Sequence, residues 1–150
     1  MVTAAGLTVP ANTVEYKIDK AKVVEFMSND TSIYPGYAVS FDASVTTEIV
    51  ATTSNVDPKC IGIALNNRLY DETNQKQYDW DDAFPARVMV PVALLHDGHI
   101  VVAKSKGAVT AGADVVPTTT AGKVVDGTVA GTVIGRALSA ATDGDFLLNL

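Results

Sequence analysis

Short apolar runs alternate along this chain with turn residues, and this pattern limits the fold to one built from many short strands. Val and Thr, whose branched side chains favour extended backbone, contribute 21 and 16 of the 150 residues. The segment 13–19 alternates strictly between apolar and polar residues, as in Val14-Glu15-Tyr16, which is typical of a strand with one solvated face. We therefore predict an all-β protein, a compact β-barrel or β-sandwich of short strands.

The first dozen residues are small, uncharged and interrupted by Pro10, a composition typical of an extended arm rather than of a packed element. This composition predicts two parts: residues 1–30 as an N-terminal arm with the first strands, and residues 31–150 as the barrel or sandwich. Because an extended arm can add a strand to the sheet of a neighbour, Val9 and Pro10 are candidate partner-binding residues.

Charge and hydropathy argue against nucleic acids and membranes as partners. The formal net charge is −6, from 11 basic and 17 acidic residues, and the basic residues are scattered, so no patch would attract phosphate. The longest apolar run, Val88–Leu95, includes Pro91 and is far shorter than the roughly 20 residues of a membrane-spanning helix. The first residues also lack the basic start of a secretory signal, so we expect a protein made in the cytoplasm.

Two pairs of motifs form an internal similarity. Gly36–Phe41 is similar to Gly112–Pro117, and Ile61–Leu65 is similar to Ile134–Leu138, with a Thr-rich segment between the motifs in each case. Two copies are fewer than the three or more that a solenoid needs. The similarity predicts one barrel built from two similar β-units, or a repeated hairpin geometry; chance similarity among Gly- and Val-rich segments is the remaining alternative.

Three glycines predict where strands come close together or where the chain turns. Gly62 and Gly135 hold matching positions inside strands, which indicates a bulge or a close approach of another backbone. The dipeptide Asp97-Gly98 predicts a hairpin turn between the strands on either side of it.

No motif in the sequence supports catalysis or metal binding. His96 and His99 could hold zinc only with further ligands that no neighbouring motif offers. Cys60 is the only cysteine and lies in an apolar run, so we expect a small buried side chain without a disulfide partner. Ala111–Val115 is similar to a short motif of trimeric dUTPase-type nucleotidohydrolases, but the Gly-rich C-terminal arm of that family is replaced by a strand pattern. We therefore expect a protein that is not an enzyme and has no catalytic residues, cofactor or metal.

The segment 66–83 is unusual because it combines five carboxylates with the only Trp. These carboxylates lack the alternating ligands and central Gly of an EF-hand loop, which argues against calcium. Aromatic residues in an exposed loop are typical anchors of protein interfaces, and four of them are candidate partner-binding residues: Tyr70, Tyr78, Trp80 and Phe84. The alternative is that Trp80 and Phe84 only attach the loop to the barrel.

The run from Tyr34 to Leu150 resembles the small head-decoration proteins, also called cement proteins, of tailed double-stranded DNA phages and related viruses. The resemblance is carried by five short motifs: Pro35–Val39, Ile61–Leu65, Val109–Val116, Thr120–Val124 and Val133–Leu138. The arm before residue 30 and the insertion 66–83 depart from the simplest members of that family and leave the docking geometry open.

The resemblance implies a structural protein of the virion, located on the outer surface of an icosahedral capsid. Its partner would be the major capsid protein, whose neighbouring subunits it would clamp, and it would form a homotrimer, since trimers suit local three-fold positions. The alternative is a carbohydrate- or receptor-binding β-domain of a virion fibre, with Trp80 and the tyrosines as stacking surfaces.

Overall fold

The computed structural model describes residues 3–4, 7–29, 32–54, 59–128 and 132–150. It confirms the all-β prediction, since the described residues form seventeen strands and one short 3-10 turn at Lys20–Lys22 but no α-helix. No helix of the length and apolarity required for a membrane crossing is found in these ranges. The strands are β1 (Thr3–Ala4), β2 (Leu7–Thr8), β3 (Glu15–Lys17), β4 (Val23–Ser28), β5 (Ala38–Phe41), β6 (Glu48–Ala51), β7 (Cys60–Ala64), β8 (Tyr70–Asp71), β9 (Lys76–Gln77), β10 (Met89–Leu94), β11 (Ile100–Lys104), β12 (Ala108–Val109), β13 (Asp114–Pro117), β14 (Val124–Asp126), β15 (Gly135–Ala137), β16 (Ala141–Thr142) and β17 (Asp145–Asn149).

Five strands form a closed barrel in the order β10-β4-β6-β5-β7, which we call the first barrel. Its neighbours are antiparallel except for β4 and β6, whose short parallel contact closes the ring. Alternate residues of these strands fill the interior, including Val39, Ile49, Val90 and Val92, all fully buried. The apolar alternation seen in the sequence therefore serves to fill a small barrel.

A second sheet has the order β14-β13-β15-β17-β11-β3, and it curls so that the end of β11 meets β14. Ser105, the residue after β11, forms a parallel bridge with Val124 of β14, and the Lys106 N–H donates to the Val124 carbonyl at 2.8 Å. We call the five strands closed by this bridge (β11, β13, β14, β15 and β17) the second barrel. Strand β3 lies outside the ring, on the remaining edge of β11.

The two barrels have the same topology, with β4, β5, β6, β7 and β10 equivalent to β11, β13, β14, β15 and β17. In each barrel the second strand pairs with the third and fourth, the fifth pairs with the fourth and first, and the first meets the third in parallel. The internal similarity of the sequence is thus structural, but the prediction that both units build one barrel is wrong. Each unit closes its own barrel because its first strand reaches its third.

Equivalent residues of the two barrels make equivalent contacts, and we call such residues counterparts. The Gly36 N–H donates to the Ala64 carbonyl at 2.8 Å, and the Gly112 N–H donates to the Ala137 carbonyl at 2.7 Å. Gly36 and Gly112 have φ of 85° and 88°, a conformation that favours glycine. One hydrophobic core contains residues of both barrels, such as Ile63 of β7 and Phe146 of β17, and we call it the joint core.

A buried serine closes each barrel in the same way. Ser105 Oγ donates to the Gly144 carbonyl at 3.0 Å and accepts the Gly144 N–H at 2.9 Å. Ser28 Oγ donates to the Pro85 carbonyl at 2.6 Å and accepts the Val88 N–H at 3.2 Å. Both hydroxyls thus bond to backbone groups just before the last strand of their barrel, β17 or β10. The residues with positive φ at these two places are Asp143 and Arg87.

Ser105→Ala is expected to lower the free energy of unfolding by about 1–2 kcal/mol. The Ser105 side chain is buried, so the Gly144 N–H that it binds would lose its hydrogen-bond acceptor. Ser28→Ala should have a similar cost. The exposed Ser44→Ala serves as the control and should change stability by less than about 0.5 kcal/mol. Urea denaturation followed by circular dichroism measures all three, and equal midpoints for Ser105→Ala and Ser44→Ala would contradict the assigned role.

One further prediction about chain organisation is wrong. The Asp97-Gly98 turn does not form a hairpin, because β10 pairs with β4 and β7 while β11 pairs with β17 and β3; the turn instead connects the two barrels. The turn residues predicted a change of direction, but not which strands pair across it. Strand β4, which precedes the division predicted at residue 30, is an integral strand of the first barrel.

Candidate protein-interaction surface

The exposed large apolar and aromatic side chains of the described residues all lie between residues 16 and 89. They are Tyr16, Val24, Met27, Tyr34, Phe41, Val45, Tyr70 and Met89. Most of them belong to the first barrel or to its loops, and none belongs to β11 or to any strand after it. The first half of the chain therefore carries the exposed apolar surface.

Residues 9–17, which we call the N-terminal segment, cover one edge of the second barrel. The Val102 N–H donates to the Val14 carbonyl at 2.8 Å, and β3 continues this pairing along β11. The Val14 side chain is fully buried in the joint core, and its N–H donates to Asn66 Oδ1 at 2.7 Å. Val9 is buried against Val102 and Leu147. The prediction of an arm without packing is therefore wrong at Val9, although residues 1–2 and 5–6 lie outside the described residues.

The first barrel has an open groove of about 630 Å³ on its surface. Its walls come from β3, β4, β10 and the segments after β3, after β7 and before β10. The lining includes Val23, Glu25, Leu65, Met89 and Pro91. The groove combines an apolar floor with a few charged groups at its rim, as expected of a site that receives another polypeptide.

The segment 66–83 forms an ordered loop with its own hairpin, β8–β9. Asp71 accepts hydrogen bonds from the Asn74 side chain and from the Asn74 and Thr73 N–H groups. These bonds lower the pKa of Asp71, and the bond from the Asn74 side chain has the largest effect. Tyr70 is exposed at 54%, whereas Tyr78 is half-buried with Lys76 Nζ 5.5 Å from its ring centre. Of these two candidate residues, only Tyr70 offers a large exposed face.

Trp80 is half-buried against the joint core, with Lys104 Nζ 5.9 Å from the centre of its ring. It shares a surface depression of about 490 Å³ with Val9 and Pro10, so the structure brings three of the predicted partner-binding residues together. The side chain attaches the loop to the protein, as one of the two alternatives expected, and it also lines this depression; its role in binding a partner stays a prediction.

Phe84 is fully buried among the core residues of the first barrel, and its N–H donates to the Ile33 carbonyl at 2.8 Å. The prediction that it belongs to an exposed aromatic patch is wrong. Its ring packs with core residues of the first barrel such as Ile33 and Ile49. This burial agrees with the sequence-based alternative in which Phe84 attaches the loop to the barrel.

The acidic residues of the loop bond to one another's backbone. The Asp79 N–H donates to Asp82 Oδ2 at 2.8 Å, and the Asp82 N–H donates to the Asp79 carbonyl at 3.0 Å. Within the described ranges, no three His, Cys, Asp or Glu side chains are grouped closely enough to hold a metal ion. By accepting the Asp79 N–H, the Asp82 carboxylate has a local structural role.

The histidines and the cysteine occupy separate environments. His99 is buried and its Nδ1 accepts the Asp19 N–H at 3.4 Å, whereas His96 is exposed in the turn with φ of 66°. Burial raises the pKa of the Cys60 thiol to about 11, so this half-buried side chain stays protonated and is a weak nucleophile at neutral pH.

Sequence reasoning missed the groove of the first barrel, whose residues carry no recognisable motif. The available signal was the internal similarity, because an alignment of the two units would have shown a charged Glu25 where the second unit has an apolar Val102. No protein-family model matches the chain, and no curated protein matches it significantly. Any function must therefore be argued from the residues and their geometry.

Proposed function

We propose that this protein is a structural component of a virion that binds the outer surface of an icosahedral capsid. It would stabilise the shell by clamping neighbouring subunits of the major capsid protein. The proposal is supported by the motifs that resemble head-decoration proteins and by one structural observation. Of the eight exposed large apolar side chains among the described residues, seven lie within residues 23–94, the part of the chain that forms the first barrel.

Such an unequal distribution suits a protein that attaches to a lattice through its first barrel. Exposed apolar side chains are frequent at interaction sites, while the second barrel, whose own strands expose none of them, would face solvent. The net charge of −6 disfavours contact with packaged DNA. A homotrimer on a local three-fold position would place three such surfaces on the shell at once, and weak contacts then add through multivalency.

Co-sedimentation with undecorated shells tests the proposal. The purified full chain is mixed with shells assembled from the major capsid protein of the same virus, over a range of concentrations. We expect binding that saturates at a fixed ratio of chain to shell subunit and a rise in the temperature at which the shells disassemble. Binding without saturation, or no binding, would contradict the proposal.

A second candidate function, carbohydrate binding on a virion fibre, is favoured by a separate cavity of about 350 Å³. Tyr34 and Tyr37 lie there with ring centres 5.2 Å apart, and the cavity also contains Asp81 and Asp145. Aromatic faces beside carboxylates are suitable for stacking on a sugar and bonding its hydroxyls. A glycan array tests this: one specific sugar, bound by the wild type and lost in Tyr34→Ala, would favour the second candidate over the first.

A further inference from the structure

The two barrels differ at one edge. In the second barrel, β3 lies along the start of β11, and the Val102 N–H donates to the Val14 carbonyl. In the first barrel, β4 meets β6 only at Met27 and Ser28. On the side of β4 away from β10, the described residues place no strand beside Val23–Glu25.

The backbone groups of Glu25 point away from β10, toward the open edge. The Ser28 N–H donates to the Val88 carbonyl, and hydrogen-bonded pairs alternate along an antiparallel ladder, so Phe26 and Val24 direct their backbone groups toward β10. Glu25 lies opposite Pro91 and therefore directs its N–H and C=O toward the open side. Its counterpart, Val102, uses the equivalent N–H to bind the Val14 carbonyl.

The side chains show the same contrast. Val24 is exposed at 38%, whereas its counterpart Val101 is exposed at 0% and shares the buried core with Val14. The residues around Val9 in the second barrel are Ile100, Val102, Leu138 and Leu147. Their counterparts in the first barrel are Val23, Glu25, Leu65 and Pro91, which all line the open groove. The groove is therefore the position that the N-terminal segment fills on the second barrel.

We infer that the edge of β4 and its groove bind one extended segment of the capsid shell subunit, which adds a strand to the first barrel; this inference rests on the proposed function. Residues 9–17 cannot fill the groove, because they already cover the second barrel. The N-terminal segment of a second copy is disfavoured because residues 1–14 of the chain contain no basic side chain to pair with the Glu25 carboxylate. The occupant is therefore assigned to the shell.

The second barrel also indicates the chemistry of the occupant. The occupant is expected to carry a small apolar side chain that covers Val24, as Val14 covers Val101, and a further apolar side chain beside Pro91 and Leu65. Glu25 replaces the apolar Val102 in the groove and forms no ion pair with the described residues. The segment is thus expected to carry a Lys or Arg beside this carboxylate.

Val24→Lys tests the inference, with Ala108→Lys as the control. Ala108 is an exposed residue of β12, outside the first barrel and its groove, so both variants place a lysine at an exposed strand position, but only Val24 lies on the open edge. Circular dichroism first establishes that both variants fold. In co-sedimentation with the assembled shells, Val24→Lys is expected to weaken binding at least about tenfold, and Ala108→Lys less than about twofold.

Amide hydrogen exchange provides a second measurement that needs no substitution. The peptide containing Glu25 is expected to exchange at least about tenfold more slowly in the shell complex than in the free protein. If the wild type binds shells but Val24→Lys binds equally well and this peptide is not protected, the inference is wrong and the proposed function stands. If the wild type does not bind shells, the proposed function fails. If protection already appears in the free protein as its concentration rises, the occupant is a second copy and the assignment to the shell is wrong.

Discussion

Gly135→Ala is expected to destabilise the protein by at least about 3 kcal/mol, because a Cβ at this position would overlap the carbonyl oxygen of Asn149. The overlapping atom belongs to the backbone of the paired strand β17, so a side-chain rotation cannot relieve the contact. Its counterpart Gly62→Ala should have a similar effect, since its Cβ would overlap the carbonyl oxygen of Ala93. The positions of these two carbonyl oxygens confirm the sequence-based expectation of a close backbone approach at both glycines.

Gly144→Ala is the control for these substitutions. A Cβ there would have the Thr142 carbonyl oxygen as its nearest neighbour, at 3.9 Å, so we expect a change below about 0.5 kcal/mol. Urea denaturation followed by the fluorescence of the single Trp compares the three variants with the wild type. Equal midpoints for Gly135→Ala and Gly144→Ala would show that β15 and β17 do not approach each other as described.

Phe84→Ala is expected to cost about 3–5 kcal/mol of stability, because it removes a fully buried ring from the interior of the first barrel and leaves a cavity. Tyr70→Ala, in the same part of the chain, removes a side chain exposed at 54% and should change stability by less than about 0.5 kcal/mol. Trp80→Ala should lie between the two, since Trp80 is half-buried against the joint core.

Thermal and urea unfolding of the three aromatic variants, followed by circular dichroism, measure this order. The comparison separates residues that hold the loop to the protein from residues that are available to a partner. A Phe84→Ala variant as stable as Tyr70→Ala would mean that the ring is not part of the barrel core. A Tyr70→Ala variant that unfolds would remove Tyr70 from the candidate interaction surface.

The alternation of apolar residues, the branched side chains and the spacing of turn residues determined the fold class from the sequence. These signals are local: the period of two around Tyr16 and the positive φ required at Gly36 depend only on neighbouring residues. The internal similarity also showed that two units share one geometry, and the matching glycines Gly62 and Gly135 indicated where strands approach closely.

Only the tertiary structure decided which strands pair, and therefore that each unit closes its own barrel. Strand pairing depends on contacts between residues far apart in the chain, such as Ser105 with Val124, which no local pattern encodes. The same reason explains why Phe84 is core, why Val9 is covered, and why the Asp97-Gly98 turn joins two barrels. The open edge at Glu25 became visible only through comparison with its covered counterpart, because an edge is defined by the absence of a neighbouring strand in space and not by the residues that form it.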